Sequence, residues 1–297
     1  MMRRTVEPKW WATLMTVTVL VAAWRASGHA DMLLPLATED AHTLPSGIAE
    51  AMIGVSYMQD GNWPGFVPHG ALRSQTLLRG PQLGFHIGAG AWAEFQASYE
   101  TLYLDEVAAN GQTNEQFGSG DARIGAKFWF KRETDLLPAL GVHIVTKLPD
   151  ATRDSRLGTD DTDFGADAAL SKDLGPLALH VNLGILLLGN SGSTVGSSFT
   201  AGGQDDLFNY GVAVVSKPLG LASEEAVQVR LLGELAGQDG SRFHNDRTAL
   251  RFGLQLQRGA GTLYVGTSAG LVTASENIGA SAGFVYRFDA ARLLSDD

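Results

Sequence analysis

From residue 47 to residue 288, the sequence alternates apolar residues with small or polar residues at a period of two. In the last repeat, 277–288, Phe284, Tyr286 and Phe288 fall on one face of a strand, and Gly283 and Arg287 fall on the other. Successive side chains of a β-strand point to opposite faces, so this alternation indicates strands with one apolar face. The pattern predicts twelve strands, at 49–58, 75–88, 93–104, 121–131, 138–148, 162–172, 177–188, 207–217, 226–236, 247–257, 262–271 and 277–288.

The connections between these segments alternate between long polar loops and short turns, and the even count puts both ends of the domain on the same side. These features are typical of an all-β, transmembrane, antiparallel up-and-down β-barrel, which must close because an open edge in lipid leaves backbone groups unpaired. A soluble β-sandwich is the alternative. A sandwich usually lacks the long–short alternation of loops, and its apolar face carries a larger bulky core. Here glycine, alanine, glutamine and charged residues fill the second stripe in strand after strand. Pro81 predicts a bulge or an earlier start of the second strand, since proline donates no ladder hydrogen bond.

The final strand also resembles the closing-strand signal of bacterial outer-membrane β-barrels. A small residue is followed by aromatics at fixed spacing, and Gly283, Tyr286 and Phe288 carry the resemblance. It implies that the barrel insertion machinery recognises this strand. The chain continues beyond the last aromatic as a polar tail, 289–297, which is expected to lie in the periplasm.

The N-terminus predicts a cleaved signal peptide at 1–30. Arg3, Arg4 and Lys9 precede an apolar run at 10–24, which is shorter than the ~20 residues of a membrane span. Small residues end the segment. Residues 31–46 are predicted to be an irregular periplasmic lead-in, and 47–288 the barrel domain. The predicted localisation is the cell outer membrane, with its lipid as a partner and the protein as a monomer or small homo-oligomer.

Composition argues against several classes of function. The chain has a formal charge of −10, and removal of 1–30 would leave 18 Lys+Arg against 31 Asp+Glu, or −13. Nucleic-acid binding depends on Lys and Arg that neutralise phosphates, so no nucleic-acid partner is predicted. The absence of cysteine excludes disulfides and thiolate metal sites. The glycines of 84–90 are not followed by a helical pattern, so no phosphate loop, cofactor or metal is predicted.

The second stripe predicts the lining of the barrel interior. It contains charged and histidine residues of both signs, which either line a narrow polar path or pair and plug it, and pairing is the expected default because unpaired charges are costly there. The predicted lumen-lining residues are Glu94, Glu100, Arg123, Lys127, His143, Lys147, Asp163, Asp167, His180, Arg230, Glu234, Arg251 and Arg287. The resulting hypothesis is a narrow channel or transporter for a small-molecule solute.

The central block is similar to a known family. Gly120-Asp-Ala-Arg-Ile-Gly-Ala-Lys-Phe-Trp-Phe130, Leu137-Pro-Ala-Leu140, Thr146-Lys-Leu-Pro149 and Leu157-Gly-Thr-Asp160 carry the resemblance. They resemble the transporter-like outer-membrane proteins associated with the meta-cleavage pathway of phenol degradation, or a closely related barrel family. The resemblance implies an outer-membrane barrel that passes small, hydrophobic or aromatic compounds. It brings no catalytic residues.

Three alternatives stay open. The protein could have a purely structural or surface-binding role in the envelope. An outer-membrane hydrolase would use Ser241, His244 and Asp246 in a predicted external loop, although such a loop is more often only solvated. The loop acids could hold calcium, but their spacing departs from an EF-hand and solvated acids are the better interpretation. These acids are Asp160, Asp161, Asp163, Asp167, Asp205 and Asp206.

Overall fold

The computed structural model describes residues 33–61, 72–151, 157–158, 161–189, 206–219, 227–240 and 246–293. The predicted signal peptide lies outside these residues. The strands are β1 (Ile48–Gln59), β2 (Leu72–Ala89), β3 (Ala93–Ala108), β4 (Thr113–Ser119), β5 (Ala122–Lys131), β6 (Ala139–Leu148), β7 (Asp163–Asp173), β8 (Leu177–Leu187), β9 (Leu207–Ser216), β10 (Gln228–Asp239), β11 (Arg247–Arg258), β12 (Gly261–Gly270) and β13 (Ile278–Asp289), and one short helix, α1 (Ala290–Leu293), follows. Within the described part of the chain, no helix is long and apolar enough to cross a membrane.

The strands form one closed antiparallel barrel. Each strand from β5 to β13 pairs with its sequence neighbour, β13 pairs with β1, and β1–β2 and β2–β3 pairing completes the ring. Both β4 and β5 pair with β3, the first along its outer half and the second along its inner half. They therefore form a single wall position interrupted at Gly120 and Asp121. The barrel has twelve wall positions, which confirms the predicted fold and count.

Most predicted strand bounds agree with the structure to within two residues. The start of β2 and the end of β10 differ by three residues, and the largest difference is at 105–118, where the prediction of a polar loop is wrong. β3 runs on to Ala108 and turns back as β4, with Asp105 opposite Glu115 and Glu106 opposite Asn114. Polar side chains on both faces hide the period-two signal, although backbone pairing is complete. The alternation therefore detects only strands with one apolar face.

Pro81 lies in a β-bulge, as predicted. Arg79 is opposite Leu102 and Gln82 is opposite Glu100, so residues 80 and 81 together face Thr101. The Thr101 hydroxyl donates to the Gly80 carbonyl at 2.7 Å. A bulge places two residues opposite one residue of the neighbouring strand. The side chain before the bulge and the side chain after it therefore point to the same face. Arg79 and Gln82 consequently both point into the barrel.

The two faces of the wall differ in the way a membrane barrel requires. Large apolar side chains are exposed on the outside, including Phe252 at 59% and Phe95 at 55%. Charged side chains are buried on the inside, including Glu50 at 1% and Glu94 at 2%. This inversion of the soluble pattern is favourable only when lipid covers the outer face.

Candidate functional site: the occupied barrel interior

Residues 33–47, called the luminal segment below, run inside the barrel as far as Leu44 and leave it at Pro45 and Ser46, which are exposed. Leu33 and Leu36 are buried against Ala213, Val215 and Leu232 of β9 and β10. The prediction that this lead-in lies in the periplasm is therefore wrong for residues 33–44. An irregular segment with buried leucines is stabilised by inward-facing wall residues, which a periplasmic position would not provide.

Wall side chains replace the ladder hydrogen bonds that the luminal segment lacks. The Glu234 carboxylate accepts from the backbone N–H of Ala37 at 3.1 Å and of Thr38 at 2.5 Å. Asn182 accepts from the N–H of Glu39 at 2.5 Å and donates to its carbonyl at 3.0 Å. Further along, the Glu94 carboxylate accepts from the N–H of Leu44 at 2.8 Å. Buried backbone polar groups are costly when unpaired, so these bonds fix the segment in place.

Glycines in the wall make room for the luminal segment. A Cβ on Gly266 would lie 2.2 Å from Pro35 Cγ, and one on Gly253 would lie 2.7 Å from Pro35 Cδ. A Cβ on Gly211 would lie 2.5 Å from the Thr38 hydroxyl. Side chains at these wall positions would collide with the segment, so the shape of the wall matches this occupant.

Lys127 holds the segment electrostatically. Its ammonium lies 3.5 Å from Glu39 of the luminal segment and 3.5 Å from Glu94 of β3, and Glu94 also lies 3.2 Å from His86. Lys127 and Glu94 are almost fully buried. Two acids around one buried cation satisfy the requirement that buried charges be paired.

A second polar cluster joins the segment to β7 and β8. The Ser171 hydroxyl donates to Asp40 Oδ1 at 2.7 Å and accepts from the N–H of Ala41 at 2.9 Å. His180 Nδ1 lies 2.8 Å from the same hydroxyl. The single Ser171 proton is directed at Asp40, so His180 must be the donor and is not positioned as a base for Ser171.

Asp40 is held ionised in this cluster, outside the strands. Burial alone would raise the pKa of its carboxyl, but the hydrogen bond from His42 at 2.8 Å and the charges of His42, His180 and Lys127 outweigh burial and lower the pKa to about 2. An ionised Asp40 keeps accepting from Ser171 and His42 at neutral pH. The cluster therefore anchors the segment and has no visible chemistry.

The other predicted lumen-lining residues also lie on the inner face, mostly in pairs. Glu100 lies 3.3 Å from Arg123 and 3.7 Å from Arg79, which the sequence analysis did not single out. Three further ion pairs are Lys147 with Asp163 at 2.7 Å and Asp121 at 3.3 Å, Arg251 with Glu234 at 2.8 Å, and Arg287 with Glu50 at 2.7 Å. Of the other predicted residues, Arg230 is buried, and His143 and Asp167 line the cavities described next. That these side chains line a conduction path stays a prediction.

Two cavities flank the luminal segment. The inner one, of about 290 Å³, lies towards the short turns, between the segment and the wall around His86, Glu94 and Arg287. The outer one, of about 560 Å³, opens towards the long loops and reaches Arg79, Arg247 and Tyr264. Both are lined by Leu34, Leu36, Thr38, Glu39 and His143. Residues 34–39 are thus the partition between them.

The residues that sequence reasoning missed are those of the segment itself, together with Arg79, Glu50 and Arg247. The signal for Arg79 and Glu50 was present, because both fall on the inner face once the strand bounds are known. The segment carries no periodic signal, and its partners look like ordinary inward-facing polar residues. Tertiary packing alone reveals it.

The alternative sites gain no support from the described residues. Ser241 and His244 lie outside them, and Asp246 accepts from the Gly240 N–H at 3.0 Å. Asp160 and Asp205 also lie outside, and Asp163 pairs with Lys147. In the part of the chain that the structure describes, no three His, Cys, Asp or Glu side chains are grouped as metal ligands. The insertion signal at Gly283, Tyr286 and Phe288 stays a prediction.

Solved structures share this architecture. An outer membrane channel from Pseudomonas putida F1 matches with a TM-score of 0.61 and 15% identity, over 84% of this chain and 98% of that one. The β domain of the Bordetella autotransporter BrkA matches with a TM-score of 0.50 and 14% identity, over 82% of this chain and 100% of that one. At these identities the likeness is one of fold. No curated protein matches the sequence.

A closed twelve-position barrel with an apolar exterior, a charged interior and an internal N-terminal segment defines the class: an outer-membrane β-barrel. Residues 66–288 match the model of the family described as "Putative MetA-pathway of phenol degradation". The match covers most of the chain, so the protein belongs to that family, and the resemblance drawn from the central block is confirmed.

Proposed function

We propose that the protein is an outer-membrane channel for small molecules whose lumen is obstructed by the luminal segment. The observation that carries this proposal is the pair of cavities, about 290 and 560 Å³, on the two sides of residues 34–39. A solid barrel core would leave no such spaces. Membership of the family and the likeness to the outer membrane channel of Pseudomonas putida F1 support the same interpretation.

The luminal segment is held mainly by polar, noncovalent contacts, which can break and form again. The luminal segment is attached by hydrogen bonds and ion pairs to Glu234, Asn182, Ser171 and Lys127, and by the small apolar contact of Leu33 and Leu36. Each such hydrogen bond contributes about 1 kcal/mol, or up to ~3 where a charged group takes part. Solute passage requires the partition at 34–39 to move, which breaks only some of these contacts.

Single-channel recording in planar bilayers tests this function. The wild type is expected to show small and intermittent current, and a variant lacking residues 33–46 a larger and steadier one, because the partition is gone. A variant lacking only residues 294–297 is the control and should behave as the wild type. Absence of current from both the wild type and the 33–46 deletion would overturn the channel proposal and favour a structural or surface-binding role.

A further inference from the structure

The outer cavity contains three inward-facing arginines. Arg247 and Arg251 lie four residues apart on the inner face of β11, and Arg79 lies on the inner face of β2, next to the bulge at Pro81. Glu39, Asp167 and Glu276 are the acids of the same cavity. Whether any arginine is available to a ligand depends on how these groups are paired.

Two of the arginines have acid partners. Arg251 lies 2.8 Å from Glu234, whose carboxylate also accepts from the luminal segment. Arg79 lies 3.7 Å from Glu100, which it shares with Arg123. Both guanidinium groups therefore add positive charge to the cavity. Their orientations are fixed by the ion pairs with Glu100 and Glu234 of the barrel wall.

Arg247 differs from both in its ion pairing, because no described carboxylate lies within the 4.0 Å ion-pair distance of it. Its Nε is also buried and has no hydrogen-bond partner among the described residues. Glu276 is the cavity acid that acts electrostatically on Arg247, from beyond this distance, and its carboxylate accepts from the Ser268 hydroxyl at 2.8 Å. A guanidinium is always charged and has five donors in one plane. Such a group in an enclosed space is costly unless an anion or water completes its bonds.

The rest of the cavity wall is partly apolar. Pro35 of the luminal segment, Met58 of β1 and the ring of Tyr264 all line it. Tyr264 is buried, and it lies across the glycines of the neighbouring strands. A cavity with a charged donor at its outer end and apolar wall further in is complementary to a molecule with an anionic head and an apolar body.

We propose that the outer cavity is a binding site for a small organic carboxylate, with Arg247 as the residue that binds the carboxylate and Arg79 and Arg251 adding favourable charge. A planar carboxylate matches the fork of the guanidinium in a bidentate pair. The proposal specifies the solute class of the proposed channel and rests on that function for its physiological meaning. Binding itself can be measured without transport.

Isothermal titration of the full barrel in detergent tests the site, with benzoate as probe and benzamide as its neutral counterpart. Benzoate should bind the wild type, and benzamide should bind about tenfold more weakly or not at all. Arg247→Gln should weaken benzoate about tenfold or more, and Arg247→Lys by less, because charge is kept and the fork is lost. Arg258→Gln is the matched control, since Arg258 ends the same strand and is exposed.

Several results would overturn the site. These are no benzoate binding by the wild type, equal binding of benzoate and benzamide, or equal benzoate affinity in the wild type and Arg247→Gln. Migration of unboiled samples on gels confirms that each variant is folded, and the comparison of the two probes needs no variant. Benzoate binding without single-channel current would remove the channel function and leave the site. Single-channel current without benzoate binding would overturn the binding site and leave the channel function.

Discussion

The hydroxyl oxygen of Tyr264 packs closely against two glycines on the inner face of the barrel. The Tyr264 hydroxyl would lie 2.3 Å from a Cβ on Gly54 and 2.3 Å from one on Gly283. Tyr264 therefore lies across the bare backbone of β13 and β1, at the seam where the first and last strands meet. Gly283 is also one of the three residues predicted to form the insertion signal, so its packing role and any recognition role must be separated by experiment.

Gly54→Ala is expected to destabilise the barrel by about 1–3 kcal/mol, because the new methyl group collides with the Tyr264 hydroxyl. Tyr264→Phe removes the oxygen and leaves the ring carbon at 3.5 Å, an ordinary contact. The double variant should therefore lose less than the sum of the two single changes. Urea unfolding in detergent, followed by intrinsic fluorescence, measures all four proteins of this cycle. Strict additivity would contradict the contact.

At the scale of single strands, the extra residue in β2 is the main irregularity of the wall. Residues 80 and 81 face one residue of β3, and Arg79 and Gln82 both point inward. Removing one of the two bulged residues would leave a regular strand. All the remaining side chains of β2 would keep their present faces. The bulge is consequently not needed to keep the charged groups inside.

Deletion of Pro81 is therefore expected to give a folded barrel. Deletion of Ile53 from the regular strand β1 is the control, because it turns either Glu50 or Ser56 outward, and a polar or charged side chain on the lipid face destabilises a membrane barrel. The fraction of folded protein in outer membranes measures both variants. Equal loss of the two variants would show that the bulge itself is required.

The sequence predicts these strands well and the luminal segment poorly, for one physical reason. A strand with one face in lipid and one face inside the barrel must alternate apolar and polar residues, as Leu250 to Gln257 do. The order of residues in the sequence is therefore enough to predict it. The segment at 33–47 is held by Glu234, Asn182 and Ser171, which lie far away in the sequence and resemble other inward-facing polar residues. The hairpin at 105–119 is intermediate, since it pairs regularly without an apolar face.

At the scale of the whole molecule, closure of the ring is the property that most affects behaviour. Every strand from β5 to β13 is paired on both edges, and the β1–β13 seam is paired over twelve positions from Ile48–Asp289 to Gln59–Ile278. A ring without free edges resists detergent because no strand can be removed singly.

The protein from an outer-membrane fraction is expected to migrate faster on detergent gels when unboiled than when boiled, since the closed barrel stays compact until heated. The test compares the two samples, with a soluble periplasmic protein as the control that shows no shift. Identical mobility, together with recovery in the periplasmic fraction, would contradict the membrane barrel.

The position of the luminal segment also has a consequence for how the chain folds. Its partners Ser171, Asn182, Glu234 and Gln255 lie 130 to 221 residues further along the chain. Contacts of such long range form only after the loop-closure entropy of most of the chain has been lost. The segment is joined directly to β1, and β1 closes the ring by pairing with β13. We expect the barrel to close around the segment in one late step, so the same event that seals the wall also fills the pore.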